Sequence, residues 1–222
     1  MEKPFQKDLS HLSWDEVYER QVLRGDLVSD WIEALHLKPG GRVLEIGAGP
    51  GYVSFVLAER VGRTGTVYAL DCSAEALAYL ERLQTERGVG QIQRIAVDAA
   101  ALDPTSVQVD SALITMVLHH ADDSAGILRN VARCVPPGAP VVIGEFHPEG
   151  PCPSGPPREH RLASEKIQEW CHQAGLTVVG YRRQTPEHYV LFARRDSDHR
   201  LPEKSEPVSD SAQTPGAAAP QA

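Results

Sequence analysis

The residues best suited to chemistry stand at the ends of short apolar runs. Val43 to Tyr52 reads VLEIGAGPGY, an apolar run that meets Glu45 and then the turn Gly47-Ala48-Gly49-Pro50-Gly51. Alternating glycines take backbone angles closed to other residues and let a ligand approach the main chain. A helix starting there is expected to offer free N–H groups. This is the chemistry of a nucleoside-binding turn. A dinucleotide turn needs a small residue where its helix packs on the strand, a place held here by the large Tyr52. It is also normally apolar where Glu45 stands, and a carboxylate there suits a ligand with positive charge rather than a pyrophosphate.

Other polar residues follow later apolar runs. Asp71 lies about twenty residues past the turn, where a carboxylate can accept hydrogen bonds from both hydroxyls of a ribose, or can simply cap the helix after Ser73. Its neighbour Cys72 has no histidine nearby in sequence to activate it and reads as a small residue beside the base. Asp98-Ala99 follows another run. Thr115-Met116-Val117-Leu118-His119-His120 closes a fourth, and Glu145-Phe146-His147 a fifth. Histidine is the side chain best poised to move a proton near neutral pH, so His119 and His120 are candidate bases and His147 a candidate rim residue. The spacings of Glu145, His147, His119 and His120 match no metal motif, and no metal is expected.

The elements that must position these residues alternate. Ser13 and Glu16 form a capping-box pattern that opens a first helix, Gly25 interrupts it, and Leu27, Val28, Trp31, Ile32 and Leu35 share one face of a second. Strands are read at 42–46, 66–70, 92–97, 111–117 and 140–146, with helices at 52–61 and 124–134 and another, capped by Ser73 and stopping near Gly88, between them. That alternation predicts a parallel sheet covered on both faces. A helix at 164–174 and two strands, 176–182 and 188–194, close enough for a hairpin, end the fold. From Asp196 onward the chain is rich in Pro, Ser, Ala and Glu, which predicts a disordered tail over 196–222.

Composition narrows the partners. The 222 residues carry 22 basic and 30 acidic side chains, a net charge of −8, without the positive surplus that binding to a phosphate backbone rewards; no nucleic acid is expected. No apolar run reaches the ~20 residues of a membrane span and the N-terminus lacks the apolar core of a secretory signal. The four cysteines show no metal spacing, and the reading is a cytoplasmic protein with free thiols.

The acidic residue before alternating glycines, Asp71, Asp98 and the Leu-His-His segment together resemble the class I methyltransferases that use S-adenosylmethionine, over roughly residues 10 to 195. The resemblance implies an α/β fold, a Rossmann-like doubly wound sheet of seven strands in the order 3-2-1-4-5-7-6 with strand 7 antiparallel. It implies a cofactor site of Glu45, Gly47, Ala48, Gly49, Gly51, Asp71, Cys72, Asp98, Ala99, Thr115 and Met116, with Asp98 receiving the adenine amino group and the main chain at 115–116 lining the methionine side. Glu45 would either touch the cofactor or order the turn. Residues 1–41 would form a helical cap over a methyltransferase domain at 42–195. A small-molecule acceptor would sit under the cap and the loop 147–162, with Trp14 and Tyr18 as a possible aromatic wall, or as ordinary packing, and His147 at the rim. Methyl transfer to protein or RNA, or cofactor binding without catalysis, are the alternatives; against a macromolecular acceptor stand the acidic charge and the reading TMVLHH, where amino-group methylating enzymes carry an Asn-Pro-Pro-Tyr-type signature.

Overall fold

The computed structural model describes residues 12–151 and 155–197. Seven strands, β1 (Arg42–Ile46), β2 (Thr66–Asp71), β3 (Ile92–Ala96), β4 (Ser111–Thr115), β5 (Pro140–Phe146), β6 (Leu176–Arg183) and β7 (His188–Arg195), form one sheet in the order 3-2-1-4-5-7-6. β1 to β5 run parallel, and β7 is antiparallel to both β5 and β6. The expected topology is therefore the observed one. The order reverses between β1 and β4, where an open sheet of this kind binds its ligand beyond the C-terminal strand ends.

Among the described residues six helices, α1 (Trp14–Val22), α2 (Gly25–Ala34), α3 (Tyr52–Val61), α4 (Ala74–Arg87), α5 (Ser124–Cys134) and α6 (Ser164–Gln173), accompany the sheet. Side chains of a strand alternate between faces, so each strand feeds two cores. Leu44, Ile46, Ala112, Ile114, Val141 and Ile143 pack with α5 and α6, whereas Val43, Leu113 and Val142 pack with α2, α3 and α4. Each fully buried Leu or Ile contributes roughly 1.5–3 kcal/mol of transfer free energy. α2 is built into the second core: Trp31, 1 % exposed, lies on Gly144 of β5, where a Cβ would meet its ring at 3.2 Å, and its indole N–H donates to Gln184 at 2.7 Å.

One boundary differs from the reading of the sequence in a way that matters for the site. β4 stops at Thr115, two residues early, because Met116 turns with φ +57 while its N–H still donates to Gly144 O at 2.9 Å. Val117 is apolar not as strand but as the residue that fills the space beside Gly47, where a Cβ would meet its Cγ2 at 2.1 Å. The expected tail lies outside the described residues apart from Asp196 and Ser197; the Asp196 N–H donates to Gly175 O at 3.0 Å. Among the described residues no helix is long and apolar enough to cross a membrane.

Candidate active site

The glycine turn joins β1 to α3, and its donors are spent inside the protein. The Gly47 and Ala48 N–H groups both donate to Leu70 O, at 2.8 and 3.0 Å, the Gly49 N–H donates to Asp71 Oδ2 at 2.8 Å, and the Gly51 N–H to Ala48 O at 3.1 Å. Tyr52, the first residue of α3, donates its N–H to Gln21 Oε1 at 3.0 Å. The turn residues themselves therefore offer no donor cradle to a phosphate, whereas α3, expected to offer free N–H groups, starts without a side-chain cap and has only its Tyr52 N–H engaged by Gln21. The turn presents carbonyl groups and carboxylates, which suits a cationic ligand without phosphate. Gly51 has φ +94 and a Cβ there would lie 2.3 Å from Leu80, so the close approach of turn and α4 requires glycine.

Glu45 and Asp71 divide the two roles that a single carboxylate might have had. Glu45 is buried on the α3 side of β1 and accepts from Ser54 Oγ at 2.5 Å, pinning strand to helix. Burial pushes its carboxyl up to about 7, only partly offset by Ser54, and the charge of Asp71 adds to the rise. Asp71 is the residue that orders the turn: Oδ2 accepts from Gly49 and Oδ1 from Ser73 N–H at 2.8 Å. Cys72 is exposed, and partial burial together with the nearby charges of Asp71 and Asp98 raises its thiol pKa, so it is not an activated nucleophile. Asp98 is exposed and caps the short turn Ala99–Ala101, accepting from Ala100 N–H at 2.8 Å, with Ala99 buried behind it. Thus Glu45, Gly47 to Gly51, Asp71, Thr115 and Met116 gather around the β1 and β4 ends, and Cys72 and Asp98 lie beside them.

The second group of candidates gathers at the ends of β4 and β5. His119 Nδ1 lies 2.7 Å from Glu145 Oε2, both side chains 1 % exposed, and Oε1 accepts the His119 backbone N–H at 3.4 Å. Burial alone would raise the Glu145 carboxyl, but the charge and hydrogen bond of His119 and the N–H groups of Phe146 and His119 outweigh it and hold it below the ordinary carboxylate range. The His120 ring lies 4.0 Å from that of His119, and Phe146 sits edge-on to His119 at 5.2 Å. His119 also lines a cavity of about 410 Å³ with Leu118, Ala121 to Ala125, Glu159, His160, Leu162 and Trp170. No group of three or more His, Cys, Asp or Glu side chains able to hold a metal occurs among the described residues.

Three sequence candidates sit elsewhere. Tyr18 packs edge-on to Tyr52 at 5.9 Å and beside Tyr79, and its hydroxyl accepts from Arg87 at 2.9 Å, contacts that tie α1 to α3 and α4. Trp14, half-buried, opens the same helix. His147 caps the turn after β5, its Nδ1 accepting from Glu149 N–H at 3.2 Å. The residue of α1 that reaches the glycine turn is Gln21, unsuspected from sequence, which donates to Ala48 O at 3.1 Å and accepts from Tyr52. Glu145 and Ser54 were missed as functional partners too; the available signal was a charged or polar side chain inside an otherwise apolar strand or helix face.

Sheet order and switch point define a doubly wound α/β protein of the kind that binds a nucleoside cofactor beyond its strand ends. Comparison with known proteins makes the class specific. Residues 43–138 match the model of a methyltransferase domain. The ubiquinone biosynthesis O-methyltransferase of Pseudomonas fluorescens is 30 % identical over 216 residues, covering 87 % of this chain and 91 % of that protein. The Ralstonia nicotianae enzyme of the same name is 32 % identical over 145 residues, 63 % of this chain but only 58 % of its own length. A solved methyltransferase structure from Aquifex aeolicus shares the fold, with TM-score 0.68 and 22 % identity over 75 % of this chain and 88 % of that one. The chain belongs to the class I S-adenosylmethionine-dependent methyltransferases. Its cofactor is S-adenosylmethionine, a sulfonium and ammonium without phosphate, which fits a turn that keeps its N–H groups for itself.

Proposed function

We propose that the chain moves the methyl group of S-adenosylmethionine by in-line displacement to a small-molecule acceptor of the quinol kind that its ubiquinone-pathway relatives are named for. The observation that supports this most directly is the glycine turn, satisfied internally and backed by the buried carboxylate of Glu45. In this reading Gly47, Ala48, Gly49, Gly51, Thr115 and Met116 line the methionine half of the cofactor. Asp71, Cys72, Asp98 and Ala99 line its ribose and adenine half. His119 and His120 stand on the acceptor side, and α1 and the loop after β5 border it. The donor supplies a carbon already activated by its sulfonium, so the protein's work is to align the acceptor and keep water out.

Calorimetry against S-adenosylmethionine, S-adenosylhomocysteine and NAD tests the cofactor site; binding of NAD alone would overturn the reading. Transfer of a labelled methyl group into pooled quinols, set against pools of RNA and protein, tests the acceptor class. Label in RNA or protein but not in quinols would replace the small molecule by a macromolecule.

A further inference from the structure

We propose that His119 and Glu145 act as a dyad that takes a proton from a hydroxyl of the acceptor, which makes this an oxygen-methylating site, with Glu145 as the positioning residue. The proposal rests on the reading of the chain as a small-molecule methyltransferase. Its ground is geometric. Glu145 is the one acidic side chain of the strand PVVIGEF, and a carboxylate in such a place is costly unless it has partners. Here it takes the His119 ring at Nδ1, 2.7 Å away, and also accepts the backbone N–H groups of Phe146 and His119. An ionised carboxylate can only accept, so Nδ1 must carry the hydrogen. Whenever the ring is neutral, its lone pair is therefore on Nε2.

Among the described residues no hydrogen bond reaches Nε2, although His119 lines the 410 Å³ cavity. A fixed tautomer, a desolvated counter-charge and a nitrogen left for a ligand are the parts of a general base. The proton of the acceptor hydroxyl passes to Nε2, and the imidazolium that forms is balanced by Glu145. The acceptor oxygen makes the new bond to carbon as the carbon–sulfur electron pair returns to sulfur, and Nε2 later gives its proton to water. The other charged or titratable groups facing His119 are His120 at 4.0 Å ring to ring and, around the cavity, Asp122, Asp123, Glu159 and His160. Among the described residues no Lys or Arg lines the cavity, which favours a neutral or cationic hydroxyl compound over a carboxylated one.

Imidazole ¹⁵N NMR of the protein without donor reads the tautomer directly. The expected result is His119 protonated at Nδ1 in the wild type; a neutral ring protonated at Nε2 overturns the dyad, whether or not any acceptor has been found. Turnover is then measured with pooled catechol, hydroquinone and pyrogallol at saturating donor. Glu145→Gln should lower kcat about 10- to 100-fold and weaken the dependence of kcat on pH, and His119→Gln should lower it about 100- to 1000-fold. Calorimetric donor affinity should stay within about threefold in both. Glu145→Asp should restore part of kcat. If Glu145→Gln does not fold, His119→Gln and the wild-type NMR decide. Wild-type kcat and pH profile in the variants, or methylation of amines and thiols but of no hydroxyl, would sink the dyad. Loss of donor binding in the wild type would instead sink the cofactor reading.

Discussion

At the scale of single residues, the two buried carboxylates of the sheet do opposite things with their protons. Glu145 is kept ionised by the histidine it serves, whereas Glu45 has one hydroxyl partner and its carboxyl rises to about 7. A cationic donor arriving beside Glu45 favours the ionised form, so binding should expel a proton at neutral pH and affinity should increase as pH rises through about 7. Calorimetry of S-adenosylmethionine binding in buffers of different ionisation enthalpy would register that proton. Glu45→Gln should release none and bind with an affinity flat across pH 6 to 8; an unchanged release would mean that another group carries it. Glu45 and Asp71 stood out in the sequence as candidate carboxylates because one interrupts and the other ends an apolar run. Which of them orders the turn was not legible, since that depends on Gly49 meeting Asp71, 22 residues away, across the β1–β2 pair.

At the scale of elements, the spacing of apolar residues and turn glycines was enough to read β1, α3, α5 and β5 with their observed boundaries, because each is bounded by Gly, Pro or a capping residue. The end of β4 was not legible: Val117 continues an apolar run, and only the close approach of Gly47 explains why it leaves the strand. The link from α1 to the glycine turn was hidden for a related reason, since Gln21 gives no local signal and acts 27 and 31 residues ahead in the chain. Gln21→Ala should leave the Tyr52 N–H without its partner and Ala48 O with the Gly51 N–H alone, lower stability by about 1 kcal/mol in urea unfolding, and weaken donor binding about tenfold. A variant with wild-type affinity would show that α1 does not support the turn. The seat of the turn on α4 can be separated from backbone strain by comparing two glycines. Gly51 and Gly88 both have positive φ, but a Cβ at Gly51 would strike Leu80 whereas one at Gly88 meets nothing within 4 Å. Gly88→Ala should cost about 1–2 kcal/mol. Gly51→Ala should cost roughly 2–5 kcal/mol, and equal urea midpoints would show that the contact with Leu80 does not matter.

At the scale of the whole molecule, two buried groups on different strands give the fold opposing responses to acid. Thr185 Oγ1 accepts the N–H groups of Glu187 and His188, each at 3.1 Å, so its own hydrogen goes to His188 Nδ1 and places the imidazole hydrogen on Nε2, a buried atom without a partner. Burial and then the charge of Arg24 lower the His188 pKa to about 4. From pH about 6.5 down to about 4 the unfolded chain therefore binds a proton that the folded chain refuses, and acid removes stability. Glu45 works the other way: from about 7 down to about 4.5 the folded chain holds a proton that the unfolded chain has lost, and acid adds stability. The windows overlap between about 4.5 and 6.5, each slope being at most about 1.4 kcal/mol per pH unit, so in the donor-free protein the two nearly cancel. Glu45→Gln should expose the His188 slope, losing stability relative to wild type as pH falls from 6.5 to 4.5, and His188→Gln should gain relative to wild type over the same range. The partners of the two groups are not shared, so the double variant should return to the wild-type pH dependence within about 0.5 kcal/mol. Urea unfolding of the four proteins at intervals of half a pH unit measures all three differences against one common background. Single variants that simply run parallel to the wild type would mean that neither group is held away from its ordinary protonation by the fold.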